Sequence, residues 1–405
     1  MTPAANILIL GSYPCLTPMH GGQIRLAEIA AAYRRTGANV RVCSVFDDSS
    51  YATQPFGPYD HIYPRDSSHR QWNGQAVPLV DDLTAGHYAS QDANAYKVLT
   101  RHLPQPLHLL HLEQPWLLPL ALRWRGEGLL QGARVIYGSQ NLEAPLKEAI
   151  LRQYGISQGA AIAQDIDRLE RQACREADLT LAVSESDRQT LQTYTDRPVL
   201  LAANGIARWQ ASDAALKHWK AQLPSTPFAL FVGSAHPPNI SGFFDMFDDS
   251  LGFLPPDTRL VVAGSVGPEL LRHPRFQRWL PLNQSRLQVL GMVNDDALAA
   301  VKTLAHLFVL PITEGGGSNI KTAEALYSGA HVLGTPVSFR GFDGFLAQPG
   351  VHQLADPGPY RQAVHTLLQT PVPIHNAASH AMRQTLLWQH TLAGIERAVS
   401  SSSPL

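Results

Sequence analysis

Short apolar runs closed by glycine or serine punctuate the chain, and stretches with helical periodicity stand between them. Asn6–Gly11 (NILILG) is β-rich, continuous and ended by glycine, which predicts a strand buried on both faces. A loop, SYPCLTPMHGG, follows, and apolar residues at Ile24, Ala27, Ile29, Ala30 and Tyr33 then mark a helix that Gly37 ends. VRVCSVF predicts the next strand, so the first 46 residues read as a βαβ unit of a parallel sheet. The pattern returns with strands at 107–113, 133–139 and 179–184, a helical stretch over 144–176, and ESDRQTLQTY after the last of these strands. Residues 48–100, rich in Pro, Asp, Ser and His, carry little periodicity and predict a loop-rich insertion with short helices.

A second series starts near 225. Strands are predicted at 227–234, 258–265, 287–293, 306–312 and 331–336, with helices over SGFFDMFDDSLGFL, DDALAAVKTL and KTAEALYSG, the last capped by Gly329. Two α/β series of similar size imply two Rossmann-like domains facing one another, over 1–205 and 227–375, with 206–226 as the linker. The final run, 377–399, gathers Met382, Leu386, Leu387, Leu392 and Ile395 on one broad face, so the segment 376–400 reads as a helix docked against a domain.

Composition narrows the class. Among 405 residues, 32 Lys+Arg stand against 33 Asp+Glu, and 44% are hydrophobic. Apolar content this high with so little net charge favours collapse over disorder, and the balance gives no global field for nucleic acid or an anionic membrane. Cys15, Cys43 and Cys174 are odd in number and widely spaced, which argues against a disulfide framework or a cysteine zinc site and fits a reducing compartment. The histidines show no metal-ligand spacing. The start, MTPAANILILGSYP, has no basic n-region and predicts no signal peptide. No stretch approaches the roughly 20 apolar residues that cross a bilayer. The expectation is a cytoplasmic protein, at most peripheral at the inner membrane face, with no nucleic-acid partner and no metal.

The segment PITEGGGSNIKTAEALYSGAHVLGTPVSFRG carries the most chemistry. Glycines after a strand and directly before a helix bring backbone N–H groups and the positive end of the helix dipole together, which suits a diphosphate. Ser318 and Asn319 can donate hydrogen bonds there. Lys321 puts a cation in a first helical turn, where the dipole disfavours one, so an anionic ligand would account for it. Glu324, three residues on, shares its face and can accept from ribose hydroxyls. The plain alternative is a glycine-rich turn beside a solvated Lys–Glu pair.

The two α/β halves resemble the GT-B fold, and GGGSNIKTAEALYSGAHVLGT resembles the donor-site segment of glycosyltransferase family 4, the group 1 glycosyl transferases. Other landmarks of that group follow in order: the loop with Gly21-Gly22, SQNLEAPL, AVSESD, ANGI, FVGSAHPPN, GMVNDDAL and WQHTLAGI. The resemblance covers nearly the whole chain; it implies an acceptor domain over 1–205, a nucleotide-sugar donor domain over 227–375, and a C-terminal helix over 376–400 that crosses back onto the N-terminal domain. Two departures stand out. Many members carry two acidic residues eight positions apart, but eight before Glu324 stands Gly316, and the upstream acid is Glu314. Many also carry an Arg and a Lys after the first strand of the second domain, where this chain reads GSAHPPNISG, which makes Lys321 the replacement cation.

The resemblance implies donor-binding roles for Gly21, Gly22, Gly233, Asn239, Gly316, Gly317, Ser318, Asn319, Lys321 and Glu324. His111, Glu113, Asn141 and Lys321 are the candidates for catalysis, and Glu143 for the acceptor side. His111 and Glu113 end a strand, where open α/β sheets place ligand-contacting groups; His111 is either such a group or a core histidine. Arg25 is either a charge near the diphosphate or a surface arginine. The activity implied is a retaining, metal-independent transfer of a sugar from a nucleoside diphosphate sugar, a substrate rather than a cofactor, to a glycan, lipid-linked or small-molecule acceptor. Bacterial surface polysaccharide or glycoconjugate synthesis is the associated setting. The alternatives are a catalytically silent GT-B protein that binds nucleotide sugar or scaffolds, and a sugar-nucleotide epimerase.

Overall fold

A computed structural model describes residues 4–314 and 319–400. The chain divides into two compact units, Met1–Ala203 with Thr391–Leu405, and Asn204–His390. No helix among the described residues is long and apolar enough to cross a membrane, and the three cysteines are unpaired.

The first unit is built on seven strands, β1 (Asn6–Gly11), β2 (Asn39–Phe46), β3 (His61–Ile62), β4 (Leu109–Glu113), β5 (Arg134–Gly138), β6 (Leu179–Ala182) and β7 (Val199–Leu201). They form one parallel sheet in the order β3-β2-β1-β4-β5-β6-β7. The register sets Leu10 beside Leu112 and Glu113 beside Gly138, so the carboxyl ends of β1, β4 and β5 share one edge.

The second unit holds β8 (Ala229–Val232), β9 (Leu260–Ala263), β10 (Leu287–Gly291), β11 (Leu307–Leu310), β12 (His331–Gly334) and β13 (Val351–Gln353), parallel throughout, in the order β10-β9-β8-β11-β12-β13. Alternate residues feed two separate cores: Leu230, Val261 and Phe308 pack on one face, and Phe231, Val262 and Leu307 on the other. This double burial is why the strands read as continuous apolar runs and not as alternating ones. Each such buried side chain contributes about 1.5–3 kcal/mol.

The expected strands are present, β1 with its expected bounds, β2 one residue longer and the others shorter at their ends, and the short β3, β7 and β13 come in addition. Several helices differ from expectation. The stretch 144–176 is two helices, Glu143–Gln153 and Gly159–Glu176, because Gly155 turns into the left-handed region at φ 68°. The helix expected over 241–254 runs instead from Pro237 to Phe247, begun by two prolines suited to a first turn and stopped by Asp248 at φ 64°. The stretch 206–226 contains a helix, Asp213–Gln222, capped by Ser212. The last run is three helices, Ala377–Gln384, Trp388–Thr391 and Ala393–Ser400. It breaks where Leu387 forms a parallel bridge with Ile206, since the Ile206 N–H and carbonyl take up Leu386 O and Trp388 N–H. Ala393–Ser400 packs on the helix Gly21–Arg35, where Arg35 Nε lies 2.9 Å from Glu396 Oε1.

Candidate functional site

In the second unit, the donor-side candidates gather at the carboxyl ends of β8 and β11. β8 ends at Val232, and Gly233 is buried directly after it, its N–H bonded to Ala263 O and its carbonyl accepting from Val266 N–H. Asn239 lies in the first turn of Pro237–Phe247, 7% exposed. Its amide nitrogen donates to Ser234 O at 2.8 Å, which turns its oxygen towards Lys321 Nζ, 2.6 Å away. Lys321 is half-buried in the first turn of the helix Ile320–Ser328, which Gly329 closes in the left-handed region. Burial pulls the Lys321 pKa down from 10.5 to about 8, with Glu324 opposing the shift. Its ammonium is thus hydrogen-bonded to a neutral amide, with the Glu324 carboxylate as the charge that acts on it.

Lys321 and Glu324 line one cavity over Leu230, Val232 and Leu310. The Lys–Glu pair considered from spacing is absent in the expected form, because Glu324 Oε1 is 2.6 Å from Lys302 Nζ on another helix. Lys302 sits in an apolar-looking helical run, and nothing in its spacing signalled that contact. Asn319 precedes the helix and makes no side-chain capping bond. Gly316, Gly317 and Ser318 lie outside the described residues. His236, exposed at the start of Pro237–Phe247, has its pKa lowered by burial and by the charge of Lys321. A larger cavity, about 520 Å³, sits at the opposite edge of this sheet, beside Phe228, His306 and Ala330.

In the first unit, Gly21 and Gly22 open the helix Gly21–Arg35. His20 and Gln23 cap it reciprocally: the Gln23 N–H donates to the His20 ring, and Met19 N–H to Gln23 Oε1. A Cβ on Gly22 would stand 2.6 Å from Tyr13 OH and 3.0 Å from Gln140 Oε1, so only glycine fits without displacing them.

His111 and Glu113 lie at the end of β4 with 0% and 2% exposure. Both ring nitrogens of His111 are engaged, Nδ1 with Tyr33 OH at 2.8 Å and Nε2 with Glu113 Oε2 at 2.7 Å. A neutral Nε2–H tautomer, donating to the carboxylate and accepting from tyrosine, satisfies both. Glu113 Oε1 accepts from Arg25 Nε at 2.9 Å and Gln140 Nε2 at 3.0 Å. Burial alone would raise the Glu113 pKa, but Arg25 and His111 hold it below its ordinary value. Arg25, 1% exposed, also donates to Ala202 O at 2.8 Å. It is a core charge, neither of the places spacing left open for it. The Arg25–Glu113–His111–Tyr33 chain acts as an internal brace, and His111 in this state orients Glu113.

Asn141 and Glu143 follow the end of β5. Glu143 is 4% exposed, and its Oε1 accepts from Gln114 Nε2 at 3.1 Å and Asn141 Nδ2 at 3.4 Å. Burial lifts its pKa to about 7. Glu170 accepts from the Glu143 and Ala144 N–H groups, each at 2.9 Å, capping that helix from outside, and its own pKa rises to about 8 by burial. Gln114, which spacing did not single out, holds φ 71° and accepts from Ser12 Oγ. Backbone in this region is uncommon for a non-glycine residue. Among the described residues no three His, Cys, Asp or Glu side chains converge as a metal ion would require.

Two doubly wound parallel sheets, one in each unit, with polar groups collected at strand carboxyl ends, define the GT-B class of fold. Residues 20–205 match the family described as "Glycosyl transferase 4-like domain", and the chain as a whole has the GT-B fold. Solved structures agree on the fold. Sucrose-phosphate synthase from Thermosynechococcus elongatus superposes with a TM-score of 0.70 at 14% identity, over 98% of this chain and 100% of that one. Anabaena HepE in complex with UDP-glucose gives 0.62 at 14% identity, over 98% and 99%. WaaG, a glycosyltransferase involved in lipopolysaccharide biosynthesis, gives 0.59 at 13%, over 97% and 98%. No curated protein matches the chain by sequence.

Proposed function

We propose that the protein is a retaining glycosyltransferase that moves a sugar from a nucleoside diphosphate sugar to a hydroxyl acceptor without a required metal. The observation that carries this reading is Lys321, half-buried at the first turn of a helix with its ammonium on the Asn239 amide oxygen, its pKa lowered to about 8 by burial. A leaving nucleoside diphosphate gains negative charge as the glycosidic bond breaks. A cation already desolvated and held in place stabilises that charge without reorganising, an electrostatic contribution of the oxyanion type. The Gly316–Asn319 amides and the helix dipole would add to it. Glu324 is assigned to the ribose hydroxyls. A front-face retaining transfer needs no protein base, since a donor phosphate oxygen can take the acceptor proton.

Asn141 and Glu143 are assigned to the acceptor side, with His111 and Glu113 behind them as a brace. Support for a nucleotide sugar also comes from HepE, whose structure holds UDP-glucose. Surface polysaccharide or glycoconjugate synthesis on the cytoplasmic side, with at most peripheral membrane contact, is the setting this reading favours. A silent nucleotide-sugar binder remains the second reading because GSAHPPNISG lacks the Arg and Lys expected after β8.

Calorimetry with UDP, ADP and GDP tests the site, and at least one should bind with millimolar or tighter affinity. No heat and no competition from any of them would end the transferase reading. Hydrolysis of the matching nucleotide sugar without acceptor separates the enzyme from the silent binder, which would show none.

A further inference from the structure

Among the described residues, Lys302 is a buried ammonium paired with one carboxylate, Glu324. It sits in the last turn of the helix Asp295–Leu304, 4% exposed along its side chain, and its Nζ is 2.6 Å from Glu324 Oε1. The same nitrogen lies 5.6 Å from the centroid of the Trp209 ring, which meets Tyr327 edge-on at 5.7 Å. The Lys302 charge is therefore met by Glu324 and by an aromatic face.

Neither helix depends on this contact for its ends. Asn294 caps Asp295–Leu304 by accepting from Ala297 N–H at 2.9 Å, and Gly329 closes Ile320–Ser328. Buried ion pairs are weak sources of stability, because desolvation offsets most of the Coulomb gain. What such a pair does provide is a fixed carboxylate. With Oε1 held by Lys302, Glu324 keeps one orientation and offers its second oxygen to a ligand without first losing rotamer freedom.

We propose that Lys302 is a positioning residue that holds Glu324 for the ribose of the nucleotide donor, so that this buried pair sets the preference for ribonucleotides. The inference rests on the assignment of Glu324 under the proposed function. It predicts that Lys302 acts on the sugar of the nucleotide and not on its phosphates, which Lys321 serves.

The test uses the full chain and whichever of UDP, ADP and GDP binds most tightly, together with its 2′-deoxy analogue and inorganic pyrophosphate. The wild-type protein should prefer the ribonucleotide by roughly tenfold or more, the size expected for a hydrogen bond to a charged group. Lys302→Met keeps the stem and removes the charge; the preference should shrink to within about threefold while pyrophosphate affinity stays unchanged. Lys302→Arg should restore the preference, and Lys302→Met should add nothing in a Glu324→Gln background. A folded Lys302→Met protein that keeps the full preference, or that loses ribonucleotide and pyrophosphate affinity equally, overturns the proposal. Should Lys302→Met not fold, Lys302→Gln carries the same comparison, and an intact preference there is equally fatal. If the wild-type chain binds no nucleoside diphosphate, the transferase reading falls first and takes this one with it. Wild-type binding with a preference that Lys302 does not influence removes this one alone.

Discussion

On the proposed assignment of Lys321 to the donor diphosphate, its burial makes nucleotide binding pH-dependent with a calculable size. Its pKa of about 8 in place of 10.5 disfavours the charged form by about 3 kcal/mol. A diphosphate beside Nζ favours the charged form again, so binding must take up a proton whenever the free lysine is neutral. About nine-tenths of the free protein carries the charge near pH 7 and about a tenth near pH 9, so apparent affinity should fall roughly tenfold between them. His236 also faces Lys321, but its pKa is already below 6.5 and it stays neutral over that span. Calorimetry of UDP, or of whichever nucleoside diphosphate binds, in buffers of different ionisation enthalpy reads both quantities. Uptake should approach one proton near pH 9 and nearly vanish near pH 7. Lys321→Met provides the control, since titration of the ligand itself appears in both proteins and cancels in their ratio. The same loss should cut turnover by roughly a hundredfold, as for a lost oxyanion donor. Identical pH slopes and proton uptake in wild type and Lys321→Met would refute the phosphate assignment.

Further outcomes follow from the same geometry. Glu324→Gln should raise the donor Michaelis constant with a smaller change in turnover, because ribose contacts do not change during reaction; a steady-state comparison decides it. Arg25→Met leaves Glu113 buried without its cation and should destabilise the first unit by about 3–5 kcal/mol, seen in urea unfolding as a lower midpoint. Glu143, with its pKa raised from 4.5 to about 7 by burial, contributes stability that is complete below pH 4.5 and lost as pH rises through about 7. Melting curves at pH 5 and pH 8 should therefore show Glu143→Gln gaining on wild type only at the higher pH. Sugar transfer or donor hydrolysis should survive EDTA; loss of activity restored by magnesium or manganese would show that a metal, not Lys321, answers the diphosphate charge.

Sequence reading succeeded where the chemistry is local. NILILG and LFVL announce strands covered on both faces, and the order of landmarks from Gly21-Gly22 to KTAEALYSG led to the GT-B class. Lys321 drew notice because a cation in a first helical turn opposes the dipole. Arg25 gave no such signal. One helical turn into an ordinary amphipathic helix, it reads as either a charge near the diphosphate or a surface residue, and only the packing of the sheet brings it within 2.9 Å of Glu113. His111 illustrates the same limit: a strand end is a ligand-facing place in general, yet here Tyr33 and Glu113 occupy both ring nitrogens.

The amino-acid order by itself determined the alternation of strand and helix, the two parallel sheets and the cation poised at Lys321. These depend on hydrophobic runs, glycines and the dipole of a single helix, all of which act over a few residues. The partner of each buried charge was decided only by tertiary structure. Spacing offered Lys321 as the neighbour of Glu324; packing of Asp295–Leu304 delivered Lys302, 22 positions away, and gave Lys321 to Asn239, 82 positions away. Burying a charge is tolerable only where a counter-charge or dipole lies within a few ångströms, and which groups come that close depends on how helices lie across a sheet, a relation that no local pattern encodes.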